Sequence, residues 1–172
     1  MKYKGRLSYI QFNPSKRARF GIKFYKICES ESGYLLGFKI YAGQDKCIAK
    51  EISASESIVM DLMEPFLGKG YTLFIDNWYS SPSLYFNLKK NRTNVVGTVR
   101  KFRKKMPKGL AALKLKKGEF QSRSSRSLLC LRWRDKKDVY ILSTKHSNVN
   151  MINTVKKRYK KDGGVENVVK PE

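Results

Sequence analysis

Apolar and polar positions fall into a series of blocks along this chain, each with its own period. From Phe20 to Cys28 the sequence FGIKFYKIC has strand composition, with Ile22 and Phe24 set against Lys23 and Tyr25. Tyr34 to Tyr41 (YLLGFKIY) reads as a second strand, and the polar link Glu29–Gly33 predicts an antiparallel hairpin between the two. Ser53-Ala54-Ser55-Glu56 has the form of a capping box. Behind it Ile58, Val59, Leu62, Met63, Phe66 and Leu67 share one helical face, until Gly68 or Gly70 stops the helix. Leu73, Phe74 and Ile75 are consecutive apolar residues, the pattern of a central α/β strand covered on both faces and flanked by the strands at 20–28 and 34–41. Asp76 ends that run. Ser81 and Pro82 then suit the N-cap and first position of a second helix reaching about Asn91, with Leu84 and Leu88 inward. Asn94–Val99 is a further strand, so the order is strand, strand, helix, strand, helix, strand.

The second half is different. Gly118–Ser124, Leu128–Arg134 and Val139–Thr144 read as short strands joined by polar turns, with Leu129, Leu131 and Trp133 alternating against Cys130, Arg132 and Arg134. These strands predict a β-rich insertion packed on an α/β core. Residues 145–172 hold few apolar anchors, and the run Lys156-Lys157-Arg158-Tyr159-Lys160-Lys161 predicts a flexible basic arm. The expected organisation is a core over 1–99, a basic loop with the β-rich insertion over 100–145, and a tail over 146–172.

Charge narrows the choice of partner. The 172 residues carry 37 Lys and Arg against 14 Asp and Glu, a net charge of +23. Such self-repulsion points to a polyanion, with nucleic acid first and an anionic membrane surface second. No stretch is long and apolar enough to span a bilayer, and Met1–Arg6 has no apolar segment behind it to serve as a secretory signal. Cys28, Cys47 and Cys130 are widely spaced and odd in number, the pattern of buried free thiols in a reducing compartment. With His146 the sole histidine, a zinc site finds no support.

Two features carry candidate chemistry. Asp76, at the end of an apolar strand, is placed where α/β proteins put functional carboxylates; the alternative is that Asp76-Asn77 merely closes a side-chain-to-backbone turn. Between Asp76 and Glu119 there is no acidic residue, while twelve basic ones stand from Lys89 to Lys117. Within this window Arg100, Lys101, Arg103, Lys104, Lys105 and Lys108 are the candidate phosphate contacts, set against a plain solvated loop. Phe102, Tyr79, Trp78 and Tyr85 are the aromatics able to stack on bases. Trp78 and Tyr85 are expected in the core, and Phe102, set among charges, is the better stacking candidate.

Several of these stretches resemble one family. Asp76-Asn77-Trp78-Tyr79-Ser80-Ser81 between strand and helix is similar to the motif of piggyBac-type DDE transposases. Gly5-Arg6, Pro14, Lys16, Gly21-Ile22-Lys23 and Gly33-Tyr34 match that family in order. So does Gly97-Thr98-Val99-Arg100 with its basic cluster and Pro107, except that the family usually has Asn where this chain has Phe102. The resemblance implies a ribonuclease H-like core, a mixed sheet with flanking helices, and cut-and-paste DNA transposition by Mg²⁺-dependent phosphoryl transfer. It makes Asp76 the second of three catalytic, metal-ligating carboxylates. The first lies before Gly5-Arg6 in the family and the third beyond a Lys-Pro like Lys170-Pro171, so the expectation is a catalytically incomplete, DNA-binding remnant. Gly163-Gly164-Val165-Glu166 imitates the third motif but lacks its Asn and Met, and Glu166 is set aside. Double-stranded DNA (transposon ends in the intact family) is the implied partner and the nucleus the implied location, with a homodimer left open and no membrane association. The alternatives are a basic RNA- or ribosome-associated binding protein, and a different nuclease pairing Asp76 with Glu29, Asp45 or Glu51.

Overall fold

The computed structural model describes residues 1–43, 53–110, 112, 114–159 and 164–171. They form two compact units, residues 1–65 and 66–172. Asp45, Cys47 and Glu51 lie outside the described residues.

In the first unit β1 (Gln11–Phe12) and β2 (Phe20–Gly21) form a short ladder. The expected hairpin follows as β3 (Phe24–Cys28) and β4 (Leu35–Ile40). Glu29 closes its turn: the carboxylate accepts from Glu31 N–H at 2.8 Å and from the Ser32 N–H and hydroxyl at 2.6 Å each. The Ser32 hydroxyl and then these backbone amides hold the Glu29 carboxyl at about 2. The Glu29 carboxylate is thus engaged in its own turn. Helix α1 (Ala54–Met63) starts at the expected cap, Ser53 Oγ accepting from Glu56 N–H. It packs on β3 and β4, with Val59 and Met63 buried and Asp61 bridged to Lys39 at 2.6 Å. The α-helix ends at Met63, short of the expected Leu67, and a single 3-10 turn, Glu64–Phe66, follows. Pro65 has no N–H to return to the preceding turn.

The second unit contains β5 (Thr72–Ile75), α2 (Pro82–Lys90), β6 (Asn94–Thr98), β7 (Phe120–Ser125), β8 (Leu128–Arg134) and β9 (Asp138–Ser143). Its sheet has the order β5-β6-β9-β8-β7, parallel between β5 and β6 and antiparallel elsewhere. The strands expected as a separate insertion therefore extend the same sheet as β5 and β6. Leu84, Tyr85 and Leu88 of α2, with Val95 and Leu142 of the sheet, are almost wholly buried. At the β6–β9 seam Thr144 N–H donates to the Val95 carbonyl at 2.9 Å, and Thr144 Oγ1 accepts from Val95 N–H at 2.9 Å. Lys89 of α2 joins this seam, donating to Asn94 Oδ1 at 2.8 Å and to the Thr144 carbonyl at 3.3 Å.

Two expectations are corrected. β5 is not central among the described strands: it pairs with β6 alone, while β3 and β4 form their own two-stranded sheet. Phe74, on the face opposite Leu73 and Ile75, is 61% exposed. An apolar run fixes the chemistry of a strand's faces, not which strands flank it. The C-terminal stretch, expected as a flexible basic tail, contains among its described residues an antiparallel hairpin of β10 (Met151–Tyr159) and β11 (Val165–Pro171), irregular between Asn153 and Lys157. Glu166 pairs with Arg158 in this ladder.

Candidate functional site

Asp76 follows β5 directly and is exposed. From it the chain makes a tight turn into α2. The Asp76 carbonyl accepts from Tyr79 N–H at 3.1 Å, Ser80 N–H at 3.2 Å and the Ser80 hydroxyl at 3.1 Å. Its carboxylate accepts from Asn77 N–H at 2.6 Å, so part of the turn-closing role is real. Ser80, with no exposed surface, also lies 3.4 Å from the Tyr85 hydroxyl. Burial drives the Tyr85 phenol far above its usual range, so it stays neutral. Ser81 and Pro82 then start α2 as expected, Ser81 Oγ accepting from Leu84 N–H at 3.1 Å.

On the neighbouring strand, Gly97 pairs with Ile75. A Cβ at Gly97 would stand 2.2 Å from the Ile75 carbonyl oxygen and 3.0 Å from the Tyr85 hydroxyl. Only glycine lets β6 approach β5 this closely, one residue before Asp76.

The basic loop is folded onto this turn. Arg103 Nε donates to the Ser80 carbonyl at 3.0 Å, and one terminal nitrogen donates to the Asn77 carbonyl at 3.3 Å and to the Trp78 carbonyl. The guanidinium of Arg100 lies 5.0 Å from the centre of the Trp78 ring. Of the expected phosphate contacts, Arg100, Lys101, Lys104, Lys105 and Lys108 are exposed. Arg103 is placed differently: its fork is directed to backbone carbonyls of the Asp76 turn. Trp78 also departs from expectation, since it is 49% exposed rather than core, whereas Tyr85 is core. The far end of the loop is tied down too. Arg132, 5% exposed, donates to the Leu110 carbonyl at 2.9 Å and to Asp138 at 2.9 Å, and Arg134 takes the other Asp138 oxygen at 2.9 Å. Burial alone would raise the Asp138 carboxyl, but hydrogen bonds and charge from Arg134 and Arg132 outweigh it and hold the group below its ordinary value.

Sequence reasoning missed Ser80, Gly97 and the inward use of Arg103. A glycine inside an apolar strand was the available signal for close backbone approach; nothing in the spacing of Arg103 pointed to Ser80. As for metal, a two-ion phosphoryl-transfer site needs several carboxylates about one cation pair. Among the described residues no group of three His, Cys, Asp or Glu side chains could hold an ion. Asp76 could offer one ligand, and the described residues do not fit a complete site.

Comparison with known proteins gives two matches. Residues 1–171 match the family model described as Transposase IS4. The fold also matches a piggyBac transposase, solved by cryo-electron microscopy as a synaptic complex with hairpin DNA, with TM-score 0.80 and 26% identity. That match covers 88% of this chain and 32% of the solved one.

Proposed function

Because this chain belongs to the Transposase IS4 family and is of the piggyBac type, we propose that its transposase-derived domain binds duplex DNA through the loop Arg100–Lys108, beside Asp76. One observation carries this reading: an acid-free basic loop is held against the turn of the one motif carboxylate, with five of its six candidate cations turned to solvent. Exposed cations on an ordered loop suit phosphate contacts, which position a duplex without reading its sequence. In the finer fold reading, β3, β4, α1, β5, α2 and β6 are elements of a ribonuclease H-like core, supported by their order and by the likeness to the solved transposase. Asp76 is the residue of this chain that would ligate Mg²⁺. Among the described residues no second and third carboxylate join Asp76 in a metal-holding group, and the proposed role is DNA binding without cleavage.

Fluorescence-anisotropy titrations of a labelled duplex between 50 and 300 mM salt test this. Affinity falls linearly on a log–log scale, with a slope of about −0.9 for each phosphate neutralised. Replacing Arg100, Lys101, Lys104 and Lys105 together by Ala flattens the slope by about 3–4 units. An unchanged slope refutes the interface, and a tenfold or greater preference for RNA of the same length refutes DNA as the partner.

A further inference from the structure

Phe102 is 88% exposed, more than any other large apolar side chain among the described residues. It does not sit on a loose segment. Arg103 N–H donates to the Arg100 carbonyl at 3.1 Å and Met106 N–H to the Arg103 carbonyl at 3.2 Å, so two turns follow one another. Phe102 is the third residue of the first turn. Lys105 is the third of the second, with a φ of +68°, where glycine or asparagine is the usual occupant. The residues on both sides are fixed: Arg100 lies over Trp78, and Arg103 is bonded to carbonyls of the Asp76 turn. The Lys101 ammonium stands 5.0 Å from the centre of the phenyl ring. An ordered loop thus holds an aromatic ring in water, among cations, and the loop itself is bonded to the turn that follows Asp76.

From this geometry we infer that Phe102 is a stacking platform for an unpaired nucleobase of DNA, held in place while the neighbouring cations grip the phosphates. The inference rests on the DNA reading above and adds a ligand class to it. An aromatic ring stacks on any base through its π face, so the preference is for unpaired over paired bases, not for one sequence. A base inside a perfect duplex has no free face; an extrahelical base has one.

The test compares two duplexes of equal length, one perfect and one carrying a single extrahelical 2-aminopurine, which also reports stacking by quenching of its fluorescence. The parent chain is expected to bind the bulged duplex about tenfold more tightly and to quench the probe. In Phe102→Ala and Phe102→Asn the preference falls to within twofold and the quenching is lost, while affinity for the perfect duplex is unchanged. Phe102→Trp keeps both. Equal affinities of the parent chain for the two duplexes, or a preference that survives in Phe102→Ala, overturns the inference and leaves the phosphate reading standing. Failure of the parent chain to bind either duplex overturns both.

Discussion

Arg103 sits in the middle of a basic run, yet its guanidinium reaches the carbonyls of Ser80, Asn77 and Trp78. Its replacement by Ala separates a clasp from a phosphate ligand. The Asn77 and Trp78 carbonyls belong to residues that water can reach, so solvent replaces most of what they lose. Ser80 is fully buried, and its carbonyl is the acceptor that bears the cost. A hydrogen bond from a charged donor contributes about 1.5–3 kcal/mol, and an orphaned buried acceptor costs about 1–3 kcal/mol. Counted once, the loss is about 2 kcal/mol, or about 4–8 °C in Tm for a chain of this length. Arg103→Lys, able to meet one carbonyl but not three, should recover about half of it. Thermal melts by circular dichroism give the stability, and the salt dependence of duplex binding gives the phosphate count. Arg103→Ala should lower the melt and leave the slope alone. Lys104→Ala should do the reverse, leaving the melt and flattening the slope by about 0.9. A melt for Arg103→Ala within 1 °C of the parent, together with a flattened slope, would refute the clasp.

Gly97→Ala should cost about 1–3 kcal/mol or more in urea unfolding, because its methyl meets the Ile75 backbone rather than a side chain that can swing away; a neutral result would show that β5 and β6 are less closely paired. Asp138 titrates below its ordinary value when folded, so its contribution is present above about pH 4 and lost as pH falls through the folded value. Asp138→Asn should therefore flatten the fall of the urea midpoint between pH 6 and pH 3, and an equally steep fall would assign the acid sensitivity elsewhere. Burial pushes the Cys130 thiol up to about 11, while Cys28 is free and exposed. Native alkylation at pH 8 followed by peptide mapping should label Cys28 promptly and Cys130 only after unfolding.

The elements that could be read ahead of the structure are those whose signals are local. The hairpin at Glu29–Gly33, the Ser53 cap and the Ser81-Pro82 start of α2 each depend on residues a few positions apart, and each stands where the pattern put it. What escaped depends on partners remote in sequence. Arg103 binds carbonyls 23 to 26 positions away, and a run of like charges reads the same whether one member turns inward or not. The edge position of β5 is equally hidden, since Leu73-Phe74-Ile75 specifies apolar faces without naming neighbours. Cys28 was expected to be buried on the general habit of free thiols, but it ends β3 at the mouth of a turn and is exposed. The β10–β11 hairpin escaped because the basic run from Lys156 drew the reading away from a pairing between two segments separated in sequence.

The seam between Val95 and Thr144 bears on how the chain comes together during synthesis. β5, α2 and β6 are contiguous, so the parallel pair and its crossover form with little loop closure. The outer edge of β6 must wait for a residue 49 positions later. Until then the Val95 amide and carbonyl face water, and two strands with one helix over them are marginal on their own. The Asp76 turn and the basic loop are therefore translated well before the strand that completes the pairing of β6. A chain cut before residue 144 would carry every residue of the turn and the loop and still lack the partner of Val95.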